Sequence, residues 1–578
     1  MKKLDRELMH KLWKYLLPYR TMVFSAVAIL LVSKGVESYV PVYIGQVTDS
    51  ILKGDSSQLT AIVRQSLIII GMLFFAYLLD SLNVLLKNIV GQRALFALRS
   101  DVYRHIQRMP IDFYNHQKVG TLMTRTIHDV DQINQMFAES LIPLFGGVVL
   151  FISICICLIV LNWKVAILLI VILPFVYLLT RTFSREQRRC YGLIRKAVAK
   201  MNAFVQEHLL GTSTIRSFGL QKEEKKIFDE LNLQHREANV ETIHHFAKFF
   251  ASIDFVQSFS LIAVFVLLVQ WEPLGRGFQA GTYFTFSLYV LMLFRPLSDL
   301  AERYNVLQSA AAAAERIFSV LDLSEEVKGG EKVVEELNHL AFENVWFAYR
   351  SEDWVLKGLS FEVKKGESVA FVGMTGAGKT TILNLLLRFY DYQRGRITIN
   401  GREITEYSIS SLRKLFGVVL QDPELFSGSI RENICLGNPD INDQQLQKTL
   451  RFMQLDTLLS SYSDGLNHRL TERGKGLSSG ERQLVSMARA MAHNRSCMIL
   501  DEATANIDTS HEKIIQEALK KILHMKTSLV IAHRLSTIKD VTRIIVLHHG
   551  AVKESGAHFE LLKQKGIYEK LYRLQFLS

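Results

Sequence analysis

The sequence predicts a chain in two parts, an all-α domain of six membrane-spanning helices followed by an α/β domain. Three observations support this fold class. Six apolar segments of about 20 residues, the length that crosses a bilayer, precede residue 300. Beyond Leu340, apolar stretches of strand length alternate with helical patterns. With 578 residues, the chain is also too long for a single core. The predicted boundaries are 1–322 for the membrane domain, 323–339 for a linker and 340–578 for the α/β domain.

The predicted spans are long apolar runs with few charges, and they cover 21–45, 62–86, 139–161, 163–182, 249–271 and 281–300. Short loops join the spans in pairs, whereas arginine-rich connectors of about 50 and about 65 residues follow the second and fourth spans. Because basic loops stay in the cytoplasm, both termini and the α/β domain are expected on that side. The connectors are predicted to continue the spans as helices. The charged N-terminal segment is expected to lie along the membrane surface through Trp13, Leu16 and Leu17.

The composition agrees with a membrane protein. Hydrophobic residues make up 49% of the chain, and the net charge is +12. A basic chain can bind nucleic acid, but the apolar segments favour basic residues that face an anionic membrane leaflet. We therefore expect membrane lipid, and not nucleic acid, as a partner. The five cysteines form no C-x-x-C pair, so neither a disulfide framework nor a zinc site is predicted.

A few polar side chains fall inside the predicted spans. Lys34 and Glu37 are one helical turn apart in the first span and are predicted to pair. Asp80 and Asn83 lie in the second span, and Asp254 lies in the fifth. Ionisable groups within a membrane are functional candidates, but polar contacts between helices explain such residues equally well. Aromatic residues of the sixth span either line a cavity for apolar or cationic compounds or pack between helices.

The α/β domain contains a phosphate-binding pattern, G-x-x-x-x-G-K-[ST], between a predicted strand and a predicted helix. The residues of the pattern are Gly373, Met374, Thr375, Gly376, Ala377, Gly378, Lys379, Thr380 and Thr381. Glycines let successive backbone N–H groups turn toward phosphate oxygens, and the helix N-terminus adds partial positive charge. Lys379 can reach the β- and γ-phosphates, and the Thr380 hydroxyl can bind Mg²⁺. The pattern therefore predicts a nucleoside triphosphate site with Mg²⁺, and by itself it leaves open what the energy is used for.

A second motif supplies carboxylates for the same chemistry. An apolar strand that begins at Cys497 ends in Asp501 and Glu502. Asp501 is predicted to hold Mg²⁺, and Glu502 is predicted to activate the attacking water as general base. For this strand alone, a solvated acidic end would be the simpler interpretation.

Between these motifs, Leu477-Ser478-Ser479-Gly480-Glu481 opens an apolar helix. In this order and spacing, the three motifs resemble the nucleotide-binding domain of an ABC transporter. The six spans and long connectors resemble the exporter type, so the similarity extends over nearly the whole chain. Among exporters, the chain most resembles the bacterial multidrug-type half-transporters of the MdlB-like subgroup.

The resemblance implies further site residues. Tyr349 matches the aromatic residue that stacks on adenine, and Gln421 matches a glutamine that touches Mg²⁺. Asp508 matches the aspartate of the D-loop, and His533 matches the histidine that contacts the γ-phosphate. Thr471–Gly474 resembles an exporter-specific loop, and two segments resemble the regions around the coupling helices, namely Met109–Tyr114 and Gly211–Phe218.

Two departures from the family concern the partner. The family signature is L-S-G-G-Q; this chain keeps Ser478 and Gly480 but has Ser479 and Glu481 at the third and fifth positions. The D-loop also has Asn506 in place of alanine. In the family, each ATP lies between the P-loop of one chain and the signature of another. A complete catalytic half with an altered signature favours a heterodimer with an unequal second half-transporter, and a homodimer remains the alternative.

The expected function is therefore that of an ATP-hydrolysing half of an exporter in the bacterial inner membrane. Its expected cargo is a small hydrophobic or amphipathic compound of the multidrug type. The rivals are a lipid flippase, a homodimeric exporter, an ATP-gated or regulatory membrane protein, and a soluble ABC ATPase that acts on nucleic acid or ribosomes. The six spans argue against the last of these.

Overall fold

The structure is a computed structural model that describes residues 6–52, 59–271, 280–501, 509–531 and 538–576. It divides into two compact units. The helical unit comprises Met1–Arg108 and Gln117–Ser324, and the α/β unit comprises Met109–His116 and Glu325–Ser578. The predicted fold class, a helical domain followed by an α/β domain, is confirmed.

Long helices make up the helical unit. They are α1 (Arg6–Leu16), α2 (Arg20–Leu52), α3 (Leu59–Gln107), α5 (Val119–Thr124), α6 (Val130–Gln135), α7 (Ile142–Leu161), α8 (Trp163–Leu210), α9 (Thr212–Phe218), α10 (Gln221–Trp271) and α11 (Ala280–Leu321). Short π-helical stretches flank α6 at Arg125–Asp129 and Met136–Leu141.

Five helical stretches of the described chain are long and apolar enough to cross a membrane, and α11 begins with a shorter apolar segment, Ala280–Phe294. The connectors are helical, because α3, α8 and α10 each run without a break through a predicted span and its extension. The turn between α7 and α8 is the single residue Asn162, whose side chain accepts hydrogen bonds from the first turn of α8. The predicted loops around residues 53–55 and 272–279 lie outside the described residues.

The polar residues of the predicted spans mostly contact one another. Lys34 pairs with Glu37 at 2.6 Å, as predicted, and its ammonium also lies 3.4 Å from the Asp80 carboxylate. The Asn83 amide donates to the Ala26 carbonyl at 2.6 Å, which is a contact between α2 and α3. Asp254 is exposed on α10 within the helical unit.

The remaining candidates of the helical unit divide between packing and exposure. Tyr283, Phe286, Tyr289 and Phe294 of the sixth apolar segment are buried core residues. At the N-terminus, Trp13 and Leu17 are exposed. Leu16, in contrast, is buried in a cluster with Val90 and Ala94 of α3, which attaches the end of α1 to the rest of the unit.

The described part of the α/β unit contains two larger sheets and one sheet of two short strands. The strands are β1 (His339–Ala348), β2 (Trp354–Lys364), β3 (Ser368–Val372), β4 (Arg394–Ile399), β5 (Arg402–Glu403), β6 (Phe416–Val419), β7 (Gly428–Ser429), β8 (Arg469–Leu470), β9 (Cys497–Asp501), β10 (Thr527–Ile531), β11 (Arg543–His548) and β12 (Ala551–Gly556). One sheet is antiparallel with order β2-β1-β4-β5, and a six-stranded sheet has the order β12-β11-β3-β10-β9-β6.

The α/β unit also contains helices, some of which pack on the six-stranded sheet. They are α4 (Ile111–His116), α12 (Lys379–Leu386), α13 (Ile409–Lys414), α14 (Ile430–Cys435), α15 (Asp443–Phe452), α16 (Asp456–Ser460), α17 (Ser479–Ala492), α18 (Thr509–Met525), α19 (His558–Lys563) and α20 (Ile567–Phe576). Strands β11, β3, β10, β9 and β6 are parallel neighbours. Their carboxyl ends therefore meet along one edge of the sheet, which is where ligands bind in open α/β sheets.

Candidate nucleotide-binding site

The phosphate-binding loop joins the buried strand β3 to α12, as the sequence predicts. Gly376 and Gly378 have φ of +83° and +97°, a left-handed conformation that glycine adopts without strain. A Cβ atom on Gly373 would lie 2.5 Å from the Leu547 carbonyl oxygen, and one on Gly378 would lie 2.6 Å from the Leu356 side chain. The loop can therefore keep this curl only with glycine at these positions.

Lys379 is buried at the first position of α12. Its ammonium donates to the carbonyl oxygens of Gly373 at 2.6 Å and Met374 at 3.2 Å. These bonds hold the positive charge over the loop, beside the N-terminus of α12. The Thr380 side chain is exposed, whereas that of Thr381 is buried. A cation and a helix N-terminus at one loop form an anion site of the kind that phosphates occupy.

Tyr349 follows β1 and is 45% exposed. Its hydroxyl donates to Thr381 Oγ1 at 3.2 Å and accepts from the Asn384 amide at 3.0 Å. Its ring meets the Tyr390 ring edge-on, with the centroids 5.0 Å apart. The aromatic side chain is thus fixed to α12 next to the loop, with part of its ring open to a ligand.

The sheet edge brings further predicted site residues beside the loop. Asp501 ends β9, and β9 pairs with β10 on one side and β6 on the other. Gln421 is exposed two residues after β6 ends. In strand order, the loop after β3, Asp501 and Gln421 therefore lie along one edge. Thr380, Asp501 and Gln421 offer only oxygen ligands, a donor set that fits Mg²⁺.

Three predicted residues lie outside the described part of the chain. Glu502 and Asp508 fall in the segment 502–508, and His533 falls in 532–537. The strands that precede these two segments are described, and both end at the same edge of the sheet. Glu502 directly follows Asp501, and His533 is the second residue after Ile531, the last residue of β10.

The altered signature forms the start of α17. Ser478 caps the helix: its hydroxyl accepts from the Glu481 N–H at 3.2 Å, and the Glu481 carboxylate accepts from the Ser478 N–H at 2.6 Å. This reciprocal pair is a capping box, a role that glutamate and glutamine both fill. Gly480 is buried in the first turn. The carboxylate therefore lies at the positive end of α17.

Two residues that sequence reasoning missed support the segment after Gln421. The Asn433 side chain is buried and bonds both the N–H and the carbonyl of Phe426, each at 2.8 Å. Arg489 on α17 donates to the Asn433 carbonyl at 2.8 Å and to the Glu424 carbonyl at 3.0 Å. Burial lowers the pKa of Arg489. No sequence pattern marks Arg489, because its partners lie 56 and 65 residues away in the chain.

A third missed contact joins the signature helix to the same segment. Gln483 is buried on α17, and its amide donates to the Leu420 carbonyl at 3.4 Å. Leu420 directly precedes Gln421. The start of α17 and the residue predicted to touch Mg²⁺ are thus mechanically linked.

The segments that resemble coupling regions contain short helices, α4 and α9. In α4, which belongs to the α/β unit, the Asn115 amide donates to the Tyr390 hydroxyl at 2.7 Å. Tyr390 in turn packs on Tyr349. Contacts therefore run from α4 to the aromatic side chain at the phosphate loop. In α9, by contrast, Phe218 is exposed within the helical unit.

The exporter-like loop forms a short 3₁₀ turn at Glu472–Gly474. Gly474 has φ of +67°, and a Cβ atom there would lie 2.9 Å from the Leu425 side chain. The loop therefore packs closely against the segment that follows Gln421.

Comparisons with known proteins agree with this geometry. Residues 23–297 match the family described as the ABC transporter transmembrane region, and residues 356–505 match the family described as ABC transporter. A probable multidrug resistance ABC transporter ATP-binding/permease protein of Bacillus subtilis, YheH, is 35% identical over 87% of this chain and 76% of its own length.

A relative named as a lipid flippase and a solved structure are also similar to this chain over most of its length. An ATP-dependent lipid A-core flippase of Syntrophus aciditrophicus is 32% identical over 86% of this chain and 82% of its own. The solved structure of a bacterial Atm1-family ABC exporter with ATP bound is similar with a TM-score of 0.78 and 26% identity, over 97% of this chain and 99% of that one.

Proposed function

This chain belongs to the ABC transporter family as a half-transporter of the exporter type, and we propose that it hydrolyses ATP to move hydrophobic or amphipathic compounds outward. The observation that carries the proposal is the edge of the six-stranded sheet. There the phosphate-binding loop, Asp501 and Gln421 lie at the carboxyl ends of β3, β9 and β6, within the continuous run β3-β10-β9-β6. The proposed location is the bacterial inner membrane, with the ATPase domain in the cytoplasm.

Each residue of the site has a proposed role. Lys379 and the N–H groups of its loop hold the phosphates of ATP, and Tyr349 stacks on the adenine. Thr380, Asp501 and Gln421 hold Mg²⁺, which would neutralise charge that develops on the phosphates. From the family resemblance, Glu502 is the general base, His533 contacts the γ-phosphate and Asp508 lies beside the opposing subunit.

We further propose that the chain works in an unequal pair. Ser478 and Gly480 would complete the ATP site of a partner half-transporter, and the partner's signature would complete the site at Lys379. The capping box supports the asymmetry, because it holds the Glu481 carboxylate at the end of α17 where a phosphate would approach. A full negative charge there opposes the partial positive charge of the helix end.

The substrate class rests on the relatives. The name of one relative points to multidrug resistance and that of another to a lipid A-core flippase. We propose a small multidrug-like compound as the substrate, and a lipid as the second candidate. Both classes contain large apolar parts, and such parts suit binding among the apolar and aromatic side chains of transmembrane helices.

Reconstitution into proteoliposomes tests the proposed function. The chain, together with its partner half-transporter, should hydrolyse ATP and accumulate a fluorescent amphipathic cation or a labelled lipid against its gradient. Glu502→Gln should retain ATP binding and lose turnover by at least about 100-fold, the scale of a lost general base. The control is Glu335→Gln, which changes an exposed side chain near the start of the α/β unit. Rapid turnover by Glu502→Gln, or ATP-dependent leakage without accumulation, would contradict the proposal.

A further inference from the structure

Helices α8 and α10 lie antiparallel and bring three potential metal ligands together. His208 of α8 contacts Glu224 of α10. Phe183 of α8 stacks on Phe249 of α10 with ring centroids 4.0 Å apart, so the two helices run in opposite directions. Between these contacts, the ligand atoms of Cys190, Glu241 and His245 all lie within 4.8 Å of one another. Within the described residues, this is the one group of three His, Cys, Asp or Glu side chains placed to hold a metal ion.

The three side chains suit a particular class of metal. A thiolate, an imidazole and a carboxylate are ligands that zinc accepts in four-coordinate sites. Glu241 and His245 are four residues apart, so they project from the same face of α10 toward Cys190 on α8. Zinc holds its ligand atoms at about 2.0–2.3 Å, so the side chains need to move inward by only about 1 Å or less.

An unsatisfied buried amide supplies a second observation. Phe183, Gln187 and Cys190 occupy positions i, i+4 and i+7 of α8, so they share the face that meets α10. Gln187 is 3% exposed, yet neither its amide oxygen nor its amide nitrogen has a hydrogen-bond partner. A buried polar group of this kind calls for a ligand, an ion or an ordered water. The oxygen of Gln187 can accept from a metal-bound water or bind the metal itself.

An ion can reach the group from one side. Glu241 and His245 line an open cleft of about 550 Å³ along α10, whereas Cys190 is fully buried behind them. A competing charge is present, because the Arg189 guanidinium lies 4.0 Å from the Glu241 carboxylate. That distance is at the limit of an ion pair, so the carboxylate can turn toward a cation at small cost.

We propose that Cys190, Glu241 and His245 form a binding site for a Zn²⁺-class transition-metal dication that fixes α8 to α10. Cys190 lies eight residues beyond the predicted fourth span, and His245 lies four residues before the predicted fifth. The site would therefore be on the cytoplasmic side, near the membrane. Binding would fix the relative position of two long helices, and it would displace the thiol proton.

Cobalt(II) is the probe that tests this site, since it replaces zinc and is coloured. Titration of the purified full-length chain in detergent should produce the ligand-field bands of four-coordinate cobalt and a thiolate charge-transfer band, and Zn²⁺ should abolish both. Cys190→Ser should remove the charge-transfer band. His245→Ala should weaken cobalt binding at least ten-fold, because it removes a metal ligand. Gln187→Leu should weaken it about ten-fold, because it removes a side chain that supports the site.

Two matched variants serve as controls. Cys435→Ser removes a partly buried cysteine of the other unit, and His244→Ala removes the exposed neighbour of His245. Both should leave the bands unchanged. Absence of the bands in the wild-type chain, a charge-transfer band that survives Cys190→Ser, or equal weakening by His244→Ala would overturn the proposal. Circular dichroism of each variant would show whether the helices remain folded, and the test does not depend on ATP hydrolysis.

Discussion

Neutralising Glu481 tests whether this residue weakens the signature. In Glu481→Gln, the new amide oxygen can still accept from the Ser478 N–H, the bond that the carboxylate makes at 2.6 Å. The capping box therefore survives, since glutamine also fills this position. Only the negative charge at the start of α17 is lost. The chain offers a matched control in α14, where Ser429 and Glu432 form the same kind of capping box. There the Glu432 carboxylate accepts from the Ser429 N–H at 2.8 Å.

The expected magnitudes follow from this geometry. A charge in the first turn of a helix contributes about 0.3–1 kcal/mol to stability, so both variants should lose that much or less. For Glu481→Gln, a phosphate that approaches the same helix end should gain a similar amount, which corresponds to ATP binding about two- to five-fold tighter. Glu432→Gln should show the stability change alone.

Two assays separate these effects. Thermal unfolding of the purified chain measures the stability of each variant. The ATP concentration for half-maximal hydrolysis, measured in lipid with the partner half-transporter present, measures engagement of the signature. The half-maximal concentration should fall for Glu481→Gln and stay constant for Glu432→Gln. Equal values for the two variants and the wild-type chain would refute the idea that this charge weakens the signature.

Three further changes probe other parts of the structure. Asn433→Leu leaves buried backbone groups without partners, so it should destabilise the α/β unit by about 2–4 kcal/mol; an unchanged denaturant midpoint would contradict the bracing role. Tyr390→Phe loses the hydroxyl that accepts from Asn115, so stimulation of hydrolysis by substrate should fall about five-fold while ATP affinity holds; full stimulation would contradict the link. Burial lowers the pKa of His208, but bonds to a backbone carbonyl and to Glu224 outweigh it and raise the pKa above its usual 6.5. This stabilisation is complete below about pH 6.5 and is lost as pH rises through the raised pKa. The unfolding temperature should therefore fall as pH rises in the wild type, and it should fall less in His208→Phe.

Local patterns made much of the fold predictable. The phosphate-binding loop is a continuous stretch of nine residues whose glycines are dictated by backbone conformation, so the sequence specifies it almost completely. The spans follow from apolar length alone. The predicted pair of Lys34 and Glu37 is one turn of one helix, and it is confirmed.

Contacts between distant residues could not be predicted in the same way. Arg489 and Asn433 are 56 residues apart, and nothing in either local pattern indicates that they meet. The capping role of Glu481 could have been found, because serine followed three residues later by glutamate is a helix-start signature. Cys190 and His245 meet only because α8 and α10 pack antiparallel. Rules that use the spacing of cysteines along the sequence cannot predict such a contact.

The proposal of an unequal pair is tested most directly by measuring the chain by itself and then with a partner. The purified chain, reconstituted alone in lipid, is compared with the same chain reconstituted beside a half-transporter that carries a consensus signature. An unequal pair should show slow ATP hydrolysis and little transport by the chain alone, with both restored by the partner. Full rates of hydrolysis and transport by the chain alone would contradict the unequal pair.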